Sequence, residues 1–194
     1  MKLIIASNNK HKIKEIKAML GTRFEEIVSM REAGIDFETV EDGKTFMENA
    51  RKKAVELRDI SGCACLADDS GICAHALDGA PGIYSARFAS LDGGNADDEA
   101  NNDLLLEKLR GVTNRGAHYT CAMVIAYPDG SEVCAEGYMY GEILHERHGT
   151  GGFGYDPLFK PEGYSVSVGE ITEEEKNRIS HRSRALALLL EKLN

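Results

Sequence analysis

The sequence contains two pairs of neighbouring carboxylates, Glu41-Asp42 in an irregular acidic stretch and Asp68-Asp69 after the apolar run Cys65-Leu66-Ala67. Adjacent acids repel one another unless a cation or hydrogen-bond donors neutralise them. Mg²⁺ takes a few carboxylate oxygens together with phosphate oxygens and retained waters. A functional role is favoured for Asp68-Asp69, which is predicted to lie in a loop just beyond a buried strand. Glu41-Asp42 taken alone is more typical of an acidic surface loop.

The segment from Ser7 to Glu15 is polar and lies where a short apolar run gives way to a helical pattern. Hydroxyl and amide side chains, the N–H groups of a helix N-terminus and a cation come together there, and this combination suits phosphate binding. A polar helix cap with a solvated basic face is an equally good explanation of the segment alone. The segment contains neither a Walker loop nor a Rossmann fingerprint, so any nucleotide is held differently.

A glycine-rich segment, Gly151 to Pro157, carries Phe153, Tyr155 and Asp156. The glycines allow close backbone approach. An aromatic ring can stack on a nucleobase, and a carboxylate or main-chain donor can bind the edge of that base. A glycine-rich turn with core aromatics is the commoner explanation of such a segment.

Three basic residues, Lys176, His181 and Arg182, lie close together near the C-terminus. In one continuous helix, at about 100° per residue, Lys176 and His181 point well apart. A break near Ser180, which can itself cap a new helix, would let all three converge on one ligand. A solvated basic helix face is the alternative.

The elements that position these residues alternate in type along the chain. Hydrophobic patterns predict strands at 2–7, 24–30 and 63–67 and a hairpin at 119–127 and 131–140. They predict helices at 13–20, 45–61, 95–109 and 172–193, with Asn95 as the N-cap of the third. This order predicts an α/β fold with a mixed twisted sheet, in a single two-lobed domain over residues 1–194 with a central substrate cleft.

Composition narrows the class of protein. The chain has 194 residues and a formal net charge of −9, which excludes a basic nucleic-acid-binding surface as the default. Its N-terminal apolar run is too short for a signal peptide or a membrane span, so a cytoplasmic protein without membrane contact is expected. Five cysteines, an odd number, are expected to be reduced. The Cys63-Ala64-Cys65 spacing is unusual for zinc and favours small core residues.

Taken in order, these motifs resemble the inosine/xanthosine triphosphate pyrophosphatase family. Each motif is moderately specific, and the ordered set is strongly so. The resemblance covers nearly the whole chain and rests on Ser7-x-Asn9-x-x-Lys12-x-x-Glu15, Thr45-Phe46-x-Glu48-Asn49-Ala50, Ala67-Asp68-Asp69-Ser70-Gly71, Gly79-Ala80-Pro81-Gly82-Ile83-Tyr84-Ser85-Ala86-Arg87, Phe153-Gly154-Tyr155-Asp156-Pro157 and Lys176-Asn177-x-x-Ser180-His181-Arg182.

The resemblance implies a homodimeric enzyme that hydrolyses ITP, dITP and XTP to the monophosphate and pyrophosphate with Mg²⁺ as cofactor. It implies Asp69 as general base and, with Glu41, as Mg²⁺ ligand. Glu41 and Lys53 are assigned by their distance from Asp69 rather than by a motif. The implied substrate-binding residues are Ser7, Asn9, Lys12, Lys53 and Ser70 around the reacting phosphates, and Phe153, Gly154, Tyr155, Asp156, Lys176, His181 and Arg182 around the base.

Selection of the base would follow from one functional group. Inosine and xanthine carry a 6-oxo group where adenine carries an amine. A hydrogen-bond donor such as Arg182 or a backbone N–H can therefore pair with the 6-oxo group but not with the amine of adenine. Two other functions stay open: a pyrophosphatase of the same fold for modified pyrimidine or 7-methylguanine nucleotides, and a non-catalytic nucleotide-binding protein. The segments 153–156 and 180–182 argue against the first, and the intact Asp68 and Asp69 argue against the second.

Overall fold

The structure is a computed structural model that describes residues 1–21, 23–90 and 93–193, without the side chain of residue 11. Helices and strands alternate in the first half of the chain, as predicted. Within the described residues there are six strands and five α-helices: β1 Lys2–Ile5, α1 Lys10–Leu20, β2 Glu26–Ser29, α2 Phe46–Ser61, β3 Ala64–Ala74, α3 Asp98–Lys108, β4 Gly116–Ala126, β5 Glu132–Ile143, β6 Phe159–Pro161, α4 Glu173–Ile179 and α5 His181–Glu191.

The strands form one sheet in the order β2-β1-β3-β4-β5-β6. Strand β1 pairs in parallel with β2 and with β3, whereas β5 and β6 are antiparallel. Neighbouring strands β4 and β5 are joined by a tight turn, in which the Tyr127 N–H donates to the Ser131 carbonyl at 2.9 Å. So short a connection requires an antiparallel pair. The predictions of an α/β class, a mixed sheet and a central hairpin are confirmed.

The residues group into two compact units. Unit 1 comprises Met1–Asp69, Cys121–Gly137 and Arg182–Asn194, and unit 2 comprises Ser70–Thr120 and Tyr138–His181. The single domain over residues 1–194 and its cleft stay predictions. In the part of the chain that the structure describes, no helix has the length and apolarity needed to span a membrane.

The core of unit 1 consists of two apolar clusters that use alternate residues of the same strands. Leu66 of β3 packs in a cluster with Ile16 of α1 and Leu186 of α5. Its neighbours Cys65 and Ala67 belong to the other cluster, with residues of α2. Because successive strand side chains point to opposite faces of a sheet, this alternation fixes the face on which the next residues of β3 project.

The core of unit 2 is built around aromatic side chains. The rings of Tyr119 and Phe159 meet edge to face with centroids 4.8 Å apart. Leu105 and Leu109 of the α3 segment pack into the same cluster. Asn101 and Asn102 of α3 are also buried, whereas the hydrophobic pattern predicts a buried stripe that includes Leu104, which is only partly buried.

Residues next to helix α2 in the sequence fix both of its ends. The Thr45 hydroxyl accepts the Glu48 N–H at 3.1 Å, and Gly62 ends the helix with φ +65°. Glycine adopts this left-handed backbone without the steric cost that a side chain adds. The Glu48 carboxylate accepts the Lys44 N–H at 2.7 Å, which satisfies a further donor near the start of the helix.

Three element predictions need correction. Strand β3 was expected to end before Asp68 but continues through the Asp68-Asp69-Ser70-Gly71 segment to Ala74, because cations neutralise its acids. Asp97 rather than Asn95 caps α3, since its carboxylate accepts the N–H groups of Glu99 and Ala100. The final helix is interrupted at Ser180, whose ψ of 153° is extended, so the alternative of a break there is confirmed.

The five cysteines are free thiols, as predicted. Cys65, Cys73 and Cys121 are buried, and Cys63 and Cys134 are partly buried. Burial raises the pKa of the Cys65 thiol to about 11, which keeps it protonated at neutral pH. Cys65 is therefore a small core residue, as predicted.

Candidate active site

Asp68 and Asp69 lie in the middle of β3 and project to opposite faces of the strand. Asp68 shares its face with Leu66, toward α1 and α5, and Asp69 shares its face with Ala67, toward α2. Both are buried, with 2% and 6% of their surface exposed. The two adjacent acids therefore contact different cations instead of competing for one.

The Asp69 carboxylate is held by two residues of α2. Asn49 donates from Nδ2 to Asp69 Oδ2 at 3.0 Å, and Lys53 Nζ lies 3.5 Å from Asp69 Oδ1. Lys53 also donates to Glu41 at 2.9 Å. The Asn49 amide oxygen accepts the Gly43 N–H at 2.8 Å, which fixes the loop that carries Glu41. Two carboxylates thus flank one largely buried ammonium group.

The electrostatics of this group favour a charged lysine. Burial opposes ionisation of Lys53, but the charges of Asp69 and Glu41 outweigh it and raise the lysine pKa. Burial also raises the pKa of Asp69, and the nearby Glu41 charge adds to that effect against the opposing influence of Lys53. Asp69 is therefore a stronger base than an exposed aspartate, as expected of a group that accepts a proton.

Asp68 is bound on the other face of β3. Lys12 Nζ of α1 lies 3.0 Å from its Oδ2, and the Arg182 guanidinium of α5 lies 3.4 Å from the same oxygen. Arg182 also donates to Glu15, one turn beyond Lys12 on α1. Burial disfavours the charged form of Asp68, yet Lys12 and Arg182 hold its pKa well below the ordinary value. These four side chains form a network of two cations and two anions.

The predicted phosphate loop starts α1. Asn9 caps the helix, because its side-chain oxygen accepts the Lys12 N–H at 3.2 Å, and the Ser7 hydroxyl accepts the Asn9 N–H at 3.1 Å. Ser7 is partly exposed and Asn9 is exposed. The loop thus presents a helix N-terminus together with the Lys12 ammonium group, which is the combination that binds anions.

The donor set around Asp69 fits a hard divalent cation. Glu41 and Asp69 supply carboxylate oxygens on either side of Lys53. Among the described residues no group of three or more His, Cys, Asp and Glu side chains is placed to hold a metal ion. Two carboxylates suit Mg²⁺, which usually keeps several waters and binds one or two carboxylates.

In unit 2 the carboxylate of Asp156 holds the glycine-rich loop together. Its Oδ2 accepts the Phe153 N–H at 2.9 Å and the Lys176 ammonium at 2.7 Å. The same ammonium lies 4.1 Å from the centroid of the Phe153 ring. Tyr119 donates to Asp156 Oδ1 at 3.5 Å. Asp156, only 3% exposed, acts as the internal anchor of this loop.

Further contacts orient the other residues of the predicted base pocket. The His181 ring stacks on Tyr119, with centroids 4.7 Å apart and planes 9° from parallel. The Tyr155 hydroxyl donates to the Ser85 carbonyl at 2.7 Å. Asn102 donates to the Gly154 carbonyl at 3.0 Å. Because all are within unit 2, the loop and the end of α4 are positioned by the same core.

Gly152 has no space for a side chain. Its φ is +77°, and a Cβ atom there would lie 2.1 Å from Asp156 Oδ2. We expect Gly152→Ala to lose clearly more stability than the matched variant Gly154→Ala, whose φ is +62° with nothing within 4 Å of the added carbon. The latter carries only the left-handed backbone cost, about 1–2 kcal/mol. Urea unfolding of both variants measures the difference, and equal losses would contradict the anchoring role of Asp156.

The structure gathers the predicted residues into two groups. Glu41, Lys53 and Asp69 form one assembly in unit 1, and Lys12 and Arg182 meet on Asp68 in the same unit. The second group lies in unit 2 and comprises Phe153, Gly154, Tyr155, Asp156, Lys176 and His181. Ser70 is the first residue of unit 2, partly buried in β3.

Convergence of Lys176, His181 and Arg182 on one ligand is the prediction that the contacts support least. Arg182 is 1% exposed, belongs to unit 1 and binds Glu15 and Asp68. Sequence reasoning gave no role to Asn49, Glu15 or Tyr119. Asn49 and Glu15 lie within the motifs of the family resemblance, and this position could have pointed to them. Nothing in the sequence connects Tyr119 to His181.

A family model of the Ham1 family matches residues 3–192. The chain belongs to the Ham1 family. It is 45% identical to a dITP/XTP pyrophosphatase of Ralstonia nicotianae, over 99% of this chain and 96% of that protein. It is 48% identical to a dITP/XTP pyrophosphatase of Clostridium perfringens, over 99% and 97%. The resemblance drawn from the motifs is confirmed.

Solved structures of Ham1 proteins have the same fold as this Ham1-family chain. A HAM1 protein from Coxiella burnetii superposes with a TM-score of 0.89 at 34% identity, over 100% of this chain and 98% of that one. A nucleoside-triphosphatase, dITP/XTP pyrophosphatase, from Mycobacterium abscessus gives 0.80 at 42% identity, over 98% and 99%. The α/β architecture is therefore shared along the whole chain.

Proposed function

We propose that this protein hydrolyses deaminated purine nucleoside triphosphates, ITP, dITP and XTP, to the monophosphate and pyrophosphate. The names of its relatives support the substrate class. The observation that carries the proposal is the buried Asp68-Asp69 step of β3, in which each acid is paired with a lysine on its own face, Lys12 or Lys53. Cations, a strong carboxylate base and a helix N-terminus are the groups that anhydride hydrolysis requires.

Unit 1 is proposed to bind the triphosphate. Lys12, Lys53 and the Ser7–Asn9 loop stabilise the negative charge that develops as pyrophosphate leaves. Asp69 orients a water and takes its proton while the water oxygen bonds to phosphorus and the anhydride bond between the α- and β-phosphates breaks. Glu41 and Asp69 would hold Mg²⁺, which supplies Lewis-acid stabilisation of the phosphate oxygens when bound. Ser70 follows Asp69, the proposed general base, in the sequence.

Unit 2 is proposed to bind the base. Phe153 and Tyr155 supply aromatic rings, and a main-chain N–H of this loop would bind the 6-oxo group. The N–H groups of Phe153 and Gly154 already donate to Asp156 and Asp98, so the donor is another N–H of the loop. Lys176 and His181 are held next to that loop by Asp156 and Tyr119. A direct contact of Arg182 with the base belongs to this proposal too, although its observed partners are Glu15 and Asp68. A 6-amino base would leave the donors unpaired.

Lys12→Ala should weaken ITP and ATP turnover by similar factors, on the order of 10–100-fold in kcat/KM, because the ammonium group contacts phosphate rather than base. Arg182 still neutralises Asp68 in this variant, so the fold should persist. Steady-state kinetics with both nucleotides measures the two losses. A loss confined to ITP would contradict a phosphate role for Lys12.

A pyrophosphate-release screen tests the function. We expect ITP, dITP and XTP to be hydrolysed much faster than GTP and ATP with Mg²⁺ present, and activity to vanish in excess EDTA. Faster turnover of a modified pyrimidine or 7-methylguanine triphosphate would favour the pyrophosphatase alternative. Nucleotide binding without any turnover would favour a non-catalytic protein, and full activity in EDTA would exclude the metal role.

We propose that the protein is a homodimer in the cytoplasm. It acts on a small-molecule nucleotide and has no nucleic-acid or membrane partner. The net charge of −9 supports the absence of nucleic-acid binding. Light scattering on the purified chain checks the dimer, and a mass equal to one chain at micromolar concentration would contradict it.

A further inference from the structure

Two histidines that the proposed mechanism does not use meet at the surface of unit 2. His75, in the short turn after β3, is exposed, and His118 of β4 is partly exposed. His75 Nε2 lies 3.1 Å from His118 Nδ1, and the ring centroids are 5.3 Å apart. At this distance the two nitrogens share one hydrogen in a hydrogen bond. Each imidazole ring therefore points one nitrogen at the other ring.

We propose that His75 and His118 form a surface binding site for one first-row transition-metal ion, of the class of Ni²⁺, Cu²⁺ and Zn²⁺. Imidazole nitrogens bind such ions at about 2.0–2.1 Å, so two of them on one ion, at an angle of about 90–109°, are roughly 2.9–3.4 Å apart. The observed separation of 3.1 Å falls in that range. The pair is thus already spaced for chelation.

Binding needs both rings to turn, so that their lone pairs point at the ion instead of at each other, and it needs a rearrangement of protons. The imidazole that donates the shared hydrogen moves its proton to its other ring nitrogen, so that both facing lone pairs are available to the ion and no net charge is lost. Burial, followed by the charge of His75, lowers the pKa of His118. At neutral pH His118 is therefore in the uncharged form that binds metals.

The chemistry of the pair separates it from the carboxylates of unit 1. Imidazole suits borderline transition metals, whereas Mg²⁺ prefers oxygen ligands and retains its waters. In the described part of the chain no third His, Cys, Asp or Glu joins the pair in a metal-binding cluster. Water or an outside ligand therefore completes the coordination, and the affinity depends on both imidazoles together.

Isothermal titration of the full untagged chain with NiCl₂ at pH 7.5, in excess Mg²⁺, tests the proposal. Ni²⁺ is chosen because the partly buried Cys63 and Cys134 thiols are also good ligands for Zn²⁺. We expect one ion per chain and at least a tenfold weaker affinity in His75→Gln and in His118→Gln. The matched control His145→Gln removes an exposed imidazole of the same unit and should bind as the wild type does.

Tyrosine fluorescence gives a second readout, since the chain has seven tyrosines and no tryptophan. Tyr138 and Tyr140 lie with ring centroids 6.1 and 5.6 Å from that of His118. Bound Cu²⁺ should quench their emission in the wild type and much less in His118→Gln. Circular dichroism checks that the variants fold. No saturable Ni²⁺ binding, or equal affinity in the wild type and His118→Gln, would overturn the proposal.

Discussion

Asp69→Asn should lower the turnover of ITP by about 10³-fold or more while the protein stays folded. The amide keeps the shape of the carboxylate but cannot take a proton, and it is a poorer ligand for a divalent cation. Folding should persist because burial already disfavours the charged form of Asp69, as its raised pKa indicates. Pyrophosphate release at saturating ITP measures the loss.

The matched control for that variant is Asp36→Asn, which removes one carboxylate from an exposed position of the same unit. It should retain wild-type turnover. The dissociation constant of the nucleotide for Asp69→Asn, measured by titration in the absence of turnover, should stay within a few-fold of the wild-type value because Lys12 and the Ser7–Asn9 loop remain. Near-wild-type turnover by folded Asp69→Asn would refute its assignment as the base.

Arg182→Ala should lower the free energy of unfolding by about 3–5 kcal/mol, because it removes the guanidinium group that binds two buried carboxylates, Glu15 and Asp68. The double variant Arg182→Ala with Glu15→Gln also removes the Glu15 charge and should recover part of the loss. Urea unfolding of the two single variants and the double variant gives the coupling energy. Additive losses, with no coupling between Glu15 and Arg182, would contradict this account of the ion pairs.

The same variant separates two roles of Arg182. A donor to the 6-oxo group predicts that kcat/KM falls much more for ITP than for ATP, whereas support of Lys12 through Asp68 predicts equal losses. Both kcat/KM values are corrected for the fraction of the variant that is folded at the assay temperature. Equal losses for the two nucleotides would exclude the base contact and leave the structural role.

The elements with local signals were predictable from sequence. Helix α2 follows Thr45, whose hydroxyl accepts a helix N–H, and precedes Gly62, which has a positive φ. Both signals lie in residues next to the helix in the sequence. The hairpin likewise follows from Pro128-Asp129-Gly130 between two β-rich runs. Such features depend on a few consecutive residues and hardly on the rest of the chain.

The path of β3 depends on distant residues instead. Two consecutive aspartates predict a loop, because burying them alone is costly. They continue the strand here because Lys12, Lys53 and Arg182 arrive from three helices. Arg182 and Glu15 are 167 positions apart, so no pattern along the chain could pair them. The motifs identified both residues without revealing that each is a partner of the other.

The burial of Asn101 and Asn102 was missed for a similar reason. Periodicity assigns the buried face of a helix to its leucines, yet these amides are buried because they satisfy loop backbone groups, Ala89 N–H for Asn101 and the Gly154 carbonyl for Asn102. Those loops lie far along the chain from each amide or have no regular pattern. Polar residues that hold irregular segments are invisible to hydrophobic periodicity.

We propose that ITP is cleaved between its α- and β-phosphates, and ³¹P NMR shows which bond breaks. The reaction contains the protein, ITP and Mg²⁺, with ATP in a parallel tube. We expect IMP and pyrophosphate to accumulate in equal amounts from ITP while ATP is left largely intact. Formation of IDP and inorganic phosphate, or equal consumption of ATP, would contradict it.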